Sequence, residues 1–210
     1  MYLKKTLELG GRELTIETGE VAKQADGSVI IRYGETVLLV TAMMSRKRTH
    51  LPFLPLFVDY SEKTYSAGKI PGGYFKREGR LTEKEILGCR MIDRPIRPLF
   101  PDGCRNELQI VSMALSIDKE NPGEALGLIG ASTALTISDI PWAGPVAAVK
   151  VGRIDGELVI NPTLSQLEES EIDITVAVGR DGIVMVEGEC DFVAEEVLVE
   201  ALLFAEEQAG

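Results

Sequence analysis

Hydrophobic and polar positions alternate early in the chain, the period-two signature of strands with one buried face. Leu14 and Ile16 alternate with polar partners. Two β-rich runs follow, Ser28-Val29-Ile30-Ile31 and Thr36-Val37-Leu38-Leu39-Val40-Thr41, joined by Arg32-Tyr33-Gly34-Glu35. Leu51 to Tyr60 is apolar but carries Pro52 and Pro55. Its first half therefore reads as an edge or irregular segment, because proline has no N–H to give to a sheet. Tyr65 to Gly73 is small, polar and glycine-bearing, and reads as a flexible loop.

The period then changes. Thr82 to Glu85 spells a T-x-x-E capping box and predicts a helix with Ile86, Leu87 and Met91 on its buried side, stopped by Pro95 and Pro98. Asn121-Pro122-Gly123 starts a second helix, Glu124 to about Ile137, whose glycines and alanines predict close packing against its neighbours. Two hairpins follow. Val146–Val151 returns through Asp155-Gly156 to Glu157–Ile160, and Ile172–Val178 returns through Asp181-Gly182 to Ile183–Glu187. Phe192 to Gln208 closes as an amphipathic helix with Val193, Val197, Ala201 and Phe204 on one face. With no linker, repeat or low-complexity stretch, residues 1–210 read as one α+β domain.

Composition narrows the class. The chain has 210 residues, 45% hydrophobic and 26% charged, with ten prolines; it can build a core, and disordered and collagen-like classes are excluded. No apolar run approaches the roughly 18–20 residues that span a bilayer. Met1-Tyr2-Leu3-Lys4-Lys5 leads into polar alternation rather than a signal-peptide block, so the expectation is a cytoplasmic chain with no membrane partner. Three cysteines, Cys89, Cys104 and Cys190, form no C-x-x-C pair, and His50 is the one histidine. Zinc ligation, a disulfide framework and cysteine–histidine catalysis are not expected.

Charge is unevenly spread. The net charge is −11, yet Arg46 to Arg105 holds 13 Lys/Arg against 7 Asp/Glu, leaving 9 bases and 26 acids for the rest. A basic middle in an acidic shell suits attraction of a polyanion to one place, although an unevenly charged solvated surface has the same composition. Within that middle lies Gly72-Gly73-Tyr74-Phe75-Lys76-Arg77-Glu78-Gly79-Arg80, followed by Arg90-Met91-Ile92-Asp93-Arg94-Pro95-Ile96-Arg97-Pro98-Leu99-Phe100-Pro101. Aromatics beside bases on a glycine-flanked loop form a stacking platform with phosphate contacts, the chemistry that single-stranded nucleic acid needs. Arg90 and Arg94 lie on one helix face, and Arg97 sits on the proline-bracketed exit, where guanidinium forks suit phosphate oxygens. An arginine network tied to Glu78, Asp93 and Asp102 is the alternative use of the same residues.

These blocks closely resemble the polynucleotide phosphorylase family in its first ribonuclease-PH-like domain. The resemblance extends through Asn121-Pro122-Gly123, Asn161-Pro162-Thr163 and Val184-Met185-Val186-Glu187, and so covers nearly the whole chain. It implies an α+β ribonuclease-PH-like fold, with mixed sheets, packed helices and a ribosomal-protein-domain-like βαβ topology. It implies a trimeric 3′-to-5′ phosphorolytic exoribonuclease, acting in mRNA degradation, whose parent chain continues past Gly210 into a helical segment, a second such domain and RNA-binding domains. RNA-degradation complex proteins are further implied partners. Tyr74, Phe75, Lys76 and Arg77 match the loop that constricts the ring's channel and grips single-stranded RNA. Lys76 stands where the family usually has an arginine and loses the bidentate fork. Arg80 falls in the same block, and Arg94 and Arg97 match arginines that hold phosphates.

The resemblance also implies where catalysis is absent. The family's second domain uses a serine-bearing phosphate loop and an Asp-x5-Asp-x-Lys pattern; laid on Asp173, that pattern falls on Leu167, Asp173 and Thr175. The first aspartate and the lysine of the pattern are absent, so this segment is expected to lack a complete active site, with Mg²⁺ bound elsewhere in the parent and inorganic phosphate as co-substrate. Pro122 to Ser132 weakly resembles the phosphate loop of galactokinase–homoserine kinase type enzymes, but Leu126 and Leu128 stand where a Mg²⁺-binding serine is needed. A purely structural RNA-binding module is the third reading. Glu187, Glu189 and Asp191 read as solvated or N-capping, His50 as a surface residue, and Trp142 as core or subunit interface.

Overall fold

A computed structural model describes the whole chain, Met1–Gly210. Strands β1 (Leu3–Leu9), β2 (Arg12–Thr18), β3 (Gly27–Tyr33) and β4 (Thr36–Arg48) form an antiparallel meander. β5 (Leu56–Ser61), α1 (Glu83–Ile96) and β6 (Asn106–Ser116) then make a βαβ unit whose two strands are parallel neighbours. The resulting six-stranded sheet has the order β1-β2-β3-β4-β6-β5. Helix α2 (Glu124–Thr136) leads into β7 (Ala147–Ile154), β8 (Glu157–Ile160), the short α3 (Leu164–Leu167), β9 (Ile172–Gly179) and β10 (Gly182–Cys190). These strands form a four-stranded antiparallel sheet, β10-β9-β7-β8, and α4 (Glu195–Ala209) follows.

The elements stack in four layers. α1 and α2 lie between the sheets: Leu126, Leu128 and Ala131 of α2 share one core with Val40 and Ile31 of the large sheet and Ala148, Ala177 and Met185 of the small one. The other face of the small sheet, including Val149, Ile174 and Val176, packs on Ala201 and Ala205 of α4. The fold is the mixed α+β arrangement with a βαβ unit anticipated above.

Several elements depart from the sequence reading. β4 runs on from Thr41 to Arg48 because its second half pairs with β6, from Ala42↔Ile110 to Arg48↔Asn106. β6 itself is not anticipated by alternation: Leu108 and Ile110 point inward, but the next inward positions are Ser112 and Ala114, which blur the apolar signal. The segment read as a loop from Tyr65 contains a 3-10 turn, Thr64–Ala67, closed by Gly68 in the left-handed region (φ 67°).

α1 carries the expected capping box, Thr82 with Glu85, but a rotated buried stripe. Glu85, Gly88, Ile92 and Ile96 are buried, whereas Ile86 and Leu87 are 48% and 50% exposed. Glu85 turns inward to accept the N–H groups of Thr82 (2.7 Å) and Glu62 (2.8 Å). Gly88 lets the Tyr60 ring lie against the helix, where a Cβ would stand 2.7 Å from a ring carbon. Burial pushes the Glu85 carboxyl up, and the hydrogen bonds from Thr82 and Glu62 more than reverse this, holding it below its ordinary value. Pro95 sits inside α1 rather than ending it; the Asp93–Arg97 pair spans the last turn, and a 3-10 turn, Arg97–Leu99, follows.

α2 packs as closely as its glycines suggest. A Cβ on Gly130 would stand 2.6 Å from Val40 Cγ2, and one on Gly127 3.0 Å from Ile92 Cδ1. Gly130→Ala must therefore displace Val40 in the core. It is expected to lower the urea midpoint by the equivalent of about 1–3 kcal/mol with the m-value unchanged.

Candidate nucleic-acid interface

The loop between the 3-10 turn and α1 presents aromatic rings to solvent. Tyr74 is 93% and Phe75 77% exposed, and the two rings meet edge to face with centroids 5.3 Å apart. The backbone reverses here, with Gly73 (φ 73°) and Lys76 (φ 49°) in the left-handed region. Glu78 fastens the loop: its carboxylate accepts the Thr64 N–H (2.9 Å) and the Thr64 hydroxyl (2.8 Å). Glu78 is thereby committed to the fold. Lys76, Arg77 and Arg80 are exposed and form no ion pair.

The arginines on and after α1 are arranged differently. Arg90 is exposed and forms no ion pair. Arg94, about 16 Å along the helix from its start, pairs with Glu187 of β10 and ties the helix to the small sheet. Arg97 is a strap. It donates from Nε and Nη2 to Asp93 (2.8 and 2.6 Å), from Nη1 to the Leu54 carbonyl (3.2 Å) and from Nη2 to the Leu56 carbonyl (3.2 Å). Among the arginines considered for a carboxylate network, Arg94 and Arg97 are so engaged. The loop residues are not, and Arg94's partner is Glu187 rather than Glu78, Asp93 or Asp102. Glu187 is thus a bridging residue, and α4 has Ala194 as its N-cap, with no side-chain cap from Glu189 or Asp191.

A cleft of about 500 Å³ lies between α1, α2 and the small sheet, lined by Leu87, Met91, Leu126 and Ile129 among others. Its two lysines, Lys84 and Lys150, are both taken up by carboxylates, and Glu83 is left without a partner. Lys84 contacts Glu62 (2.9 Å) and Glu124 (3.4 Å); burial pushes its ammonium down, and those carboxylates more than restore it. Tyr60, buried and flanked by Glu124 and Glu62, has its phenol pushed far up and donates it to Glu62 (2.6 Å). A Cβ on Gly123 would stand 2.4 Å from the Tyr60 hydroxyl. The start of α2, where a kinase would seat phosphate, is therefore faced by a phenol and carboxylates. Asp173 pairs with Lys150 (2.6 Å), which lies opposite Thr175 on the neighbouring strand. No three carboxylate, histidine or cysteine side chains converge into a metal-binding group, and Asp173 is engaged by Lys150.

Sequence reading had no access to the contacts that join distant segments here. Arg12 stacks over Tyr33 (4.6 Å to the ring centre) and donates to Asn121 Oδ1 and the Asn161 carbonyl, 109 and 149 positions away. Trp142 is half-buried and donates its indole N–H to the Ile96 carbonyl (3.4 Å); His50 is exposed. No helix is long and apolar enough to cross a membrane.

Comparison with known proteins adds the family context. Residues 10–141 match the profile of the 3′ exoribonuclease family, domain 1, and residues 144–208 match domain 2 of the same family. Curated relatives named polyribonucleotide nucleotidyltransferase include those of Myxococcus xanthus, 56% identical over 202 residues (96% of this chain), and Thermomicrobium roseum, 55% over 206 residues (98%). Another, from Sorangium cellulosum, is 53% identical over 209 residues (100%). The chain spans 26–28% of the length of these relatives. Among solved structures, a chain of the Archaeoglobus fulgidus exosome with RNA bound to the active site superposes with a TM-score of 0.72. It is 15% identical and is covered over 86% of its length by 98% of this chain, a likeness of fold.

The two groups of cations predict different consequences of substitution. Arg97→Ala is expected to destabilise the fold by about 1–2 kcal/mol, a figure reduced by its partial exposure. Arg77→Ala is expected to leave the urea midpoint unchanged. Equal effects would contradict the distinction.

Proposed function

The chain belongs to the 3′ exoribonuclease family, matched over both of its segments, and on that premise we propose that it is the RNA-gripping first core domain of a polyribonucleotide nucleotidyltransferase. One observation carries this reading: the exposed Tyr74–Phe75 ring pair adjoins Lys76, Arg77 and Arg80, none of which is neutralised by a carboxylate. Bases stack on rings without regard to sequence while free cations meet the phosphates, so a strand of any sequence can be held. Arg94 and Arg97 belong to the same reading with the structural duties described above: each would meet phosphate only at the expense of its present partners, or through donor capacity those partners leave free.

In the parent reaction, phosphate oxygen attacks the terminal 3′ phosphodiester of RNA. A new P–O bond forms, the bond to the preceding 3′ oxygen breaks, and a nucleoside diphosphate leaves with the shortened strand taking up the proton. Such transfers depend mainly on positioning and charge neutralisation. This chain's part is positioning. Its cleft holds no free cation, and the Mg²⁺ of the parent enzyme is assigned to another part of that protein, with inorganic phosphate as co-substrate. Residues 1–210 act as one unit because α2 serves both sheets. Three copies would set their aromatic loops around a common opening, in a cytoplasmic enzyme working with other RNA-degradation proteins. The kinase reading draws no support from a helix start facing Tyr60, Glu62 and Glu124.

The test is binding of fluorescent oligoadenylate by the chain and by a Phe75→Ala/Arg77→Ala variant. Loss of one stacked base, worth about 1–3 kcal/mol, predicts roughly 5- to 150-fold weaker binding. Each lost phosphate contact should also flatten the plot of log affinity against log salt by about 0.7. Unchanged affinity and unchanged salt dependence would overturn the reading.

A further inference from the structure

We propose that Arg46, Lys47, Arg48 and Arg105 form a second phosphate-contacting site for the same single strand, at the opposite end of α1 from the aromatic loop. The proposal rests on the RNA reading above and extends it.

The placement follows from hydrogen bonds. At the start of α1, Glu85 holds the Glu62 N–H, and Glu78 of the aromatic loop holds Thr64. At its end, Arg97 holds the carbonyls of Leu54 and Leu56. The four cations gather at that second end. Arg48 pairs across the sheet with Asn106 and donates to the Gly103 carbonyl (2.9 Å), and the Thr49 N–H donates to the Arg105 carbonyl (2.8 Å). α1 has 14 residues, so its two ends, with one cationic group beyond each, lie about 21 Å apart along its axis.

Charge and exposure make this end resemble the first. All four cations are exposed and form no ion pair, and Asp102 and Glu107, the acids of the same segment, form none with them. Of the Lys and Arg residues from Arg46 to Arg105, only Lys84, Arg94 and Arg97 are ion-paired. An aromatic ring is present here too: Phe53, between Arg48 and β5, is 60% exposed. Exposed Arg90 lies on α1 between the two ends. Fixed cations at both ends of a rigid helix, in a chain of net charge −11, draw a polyanion along that helix rather than over the acidic remainder.

The spacing sets the test. A stacked strand that rises about 3.4 Å per nucleotide along its axis needs about six nucleotides to reach from one end to the other. A tetranucleotide of adenylate therefore engages the loop alone, and a dodecanucleotide engages both sites. An Arg46→Gln/Lys47→Gln/Arg48→Gln variant is expected to bind the tetranucleotide like the unmodified chain. It should bind the dodecanucleotide about tenfold more weakly, with the salt plot flattened by about 2 for three lost contacts. Arg46→Glu/Lys47→Glu, which keeps the Arg48–Gly103 bond, should show the same length-selective loss if the first variant unfolds. Equal binding of the dodecanucleotide by variants and unmodified chain overturns the second site while leaving the aromatic loop standing. Tetranucleotide binding that ignores Phe75→Ala/Arg77→Ala removes the reading on which it rests.

Discussion

The structure depends on how the free edge of the large sheet is covered. β5 pairs with β6 on one side only, and an edge strand presents N–H and C=O groups that must find partners or water. Side chains of α1 and its exit supply partners along this edge and its flanks: Glu85 takes the Glu62 N–H (2.8 Å), Cys89 Sγ takes the Tyr60 N–H (3.1 Å), and Arg97 gives to the Leu54 and Leu56 carbonyls. The helix is thereby fixed antiparallel to β5. Its two ends, and whatever is attached to them, are fixed with it.

That docking sorts the basic residues by duty. Lys84, Arg94 and Arg97 face structure and are matched by Glu62 and Glu124, Glu187, and Asp93. Lys76, Arg77, Arg80 and Arg90 face outward without partners. Because Glu78 is held by Thr64, an acid placed in sequence to neutralise the loop cations anchors their loop instead. The cleft beneath α1 and α2 is the converse case. Its cations are all taken up by carboxylates, and a buried phenol stands at the helix start where an anion would otherwise settle.

Much of this was legible where the signal is local. The Thr82–Glu85 capping box, the span of α2 and the Asp155-Gly156 turn follow from neighbouring residues, and the structure contains them. The aromatic–basic loop was equally legible as a motif, and its exposure agrees with its composition. Long-range facts were not. Ile86 and Leu87 are apolar and helical, yet Glu85 and Gly88 take the buried face because their partners, Glu62 and Tyr60, lie just past and within β5, more than twenty positions away. β6 hides because Ser112 and Ala114 interrupt its alternation, and Arg94 and Arg97 could not be told from Arg77 until Glu187 and the carbonyls of Leu54 and Leu56 were in place.

The central claim is that a strand is gripped at the outward-facing loop and not in the cleft, whose cations are already paired. Side-chain NMR during titration with oligoadenylate tests it most directly. The claim requires the Tyr74 and Phe75 ring resonances and the Arg77 and Arg80 Nε–H resonances to shift first and furthest, while the methyl groups of Leu87, Met91, Leu126 and Ile129 stay in place. Shifts concentrated on those methyl groups, with the loop rings unmoved, would contradict it.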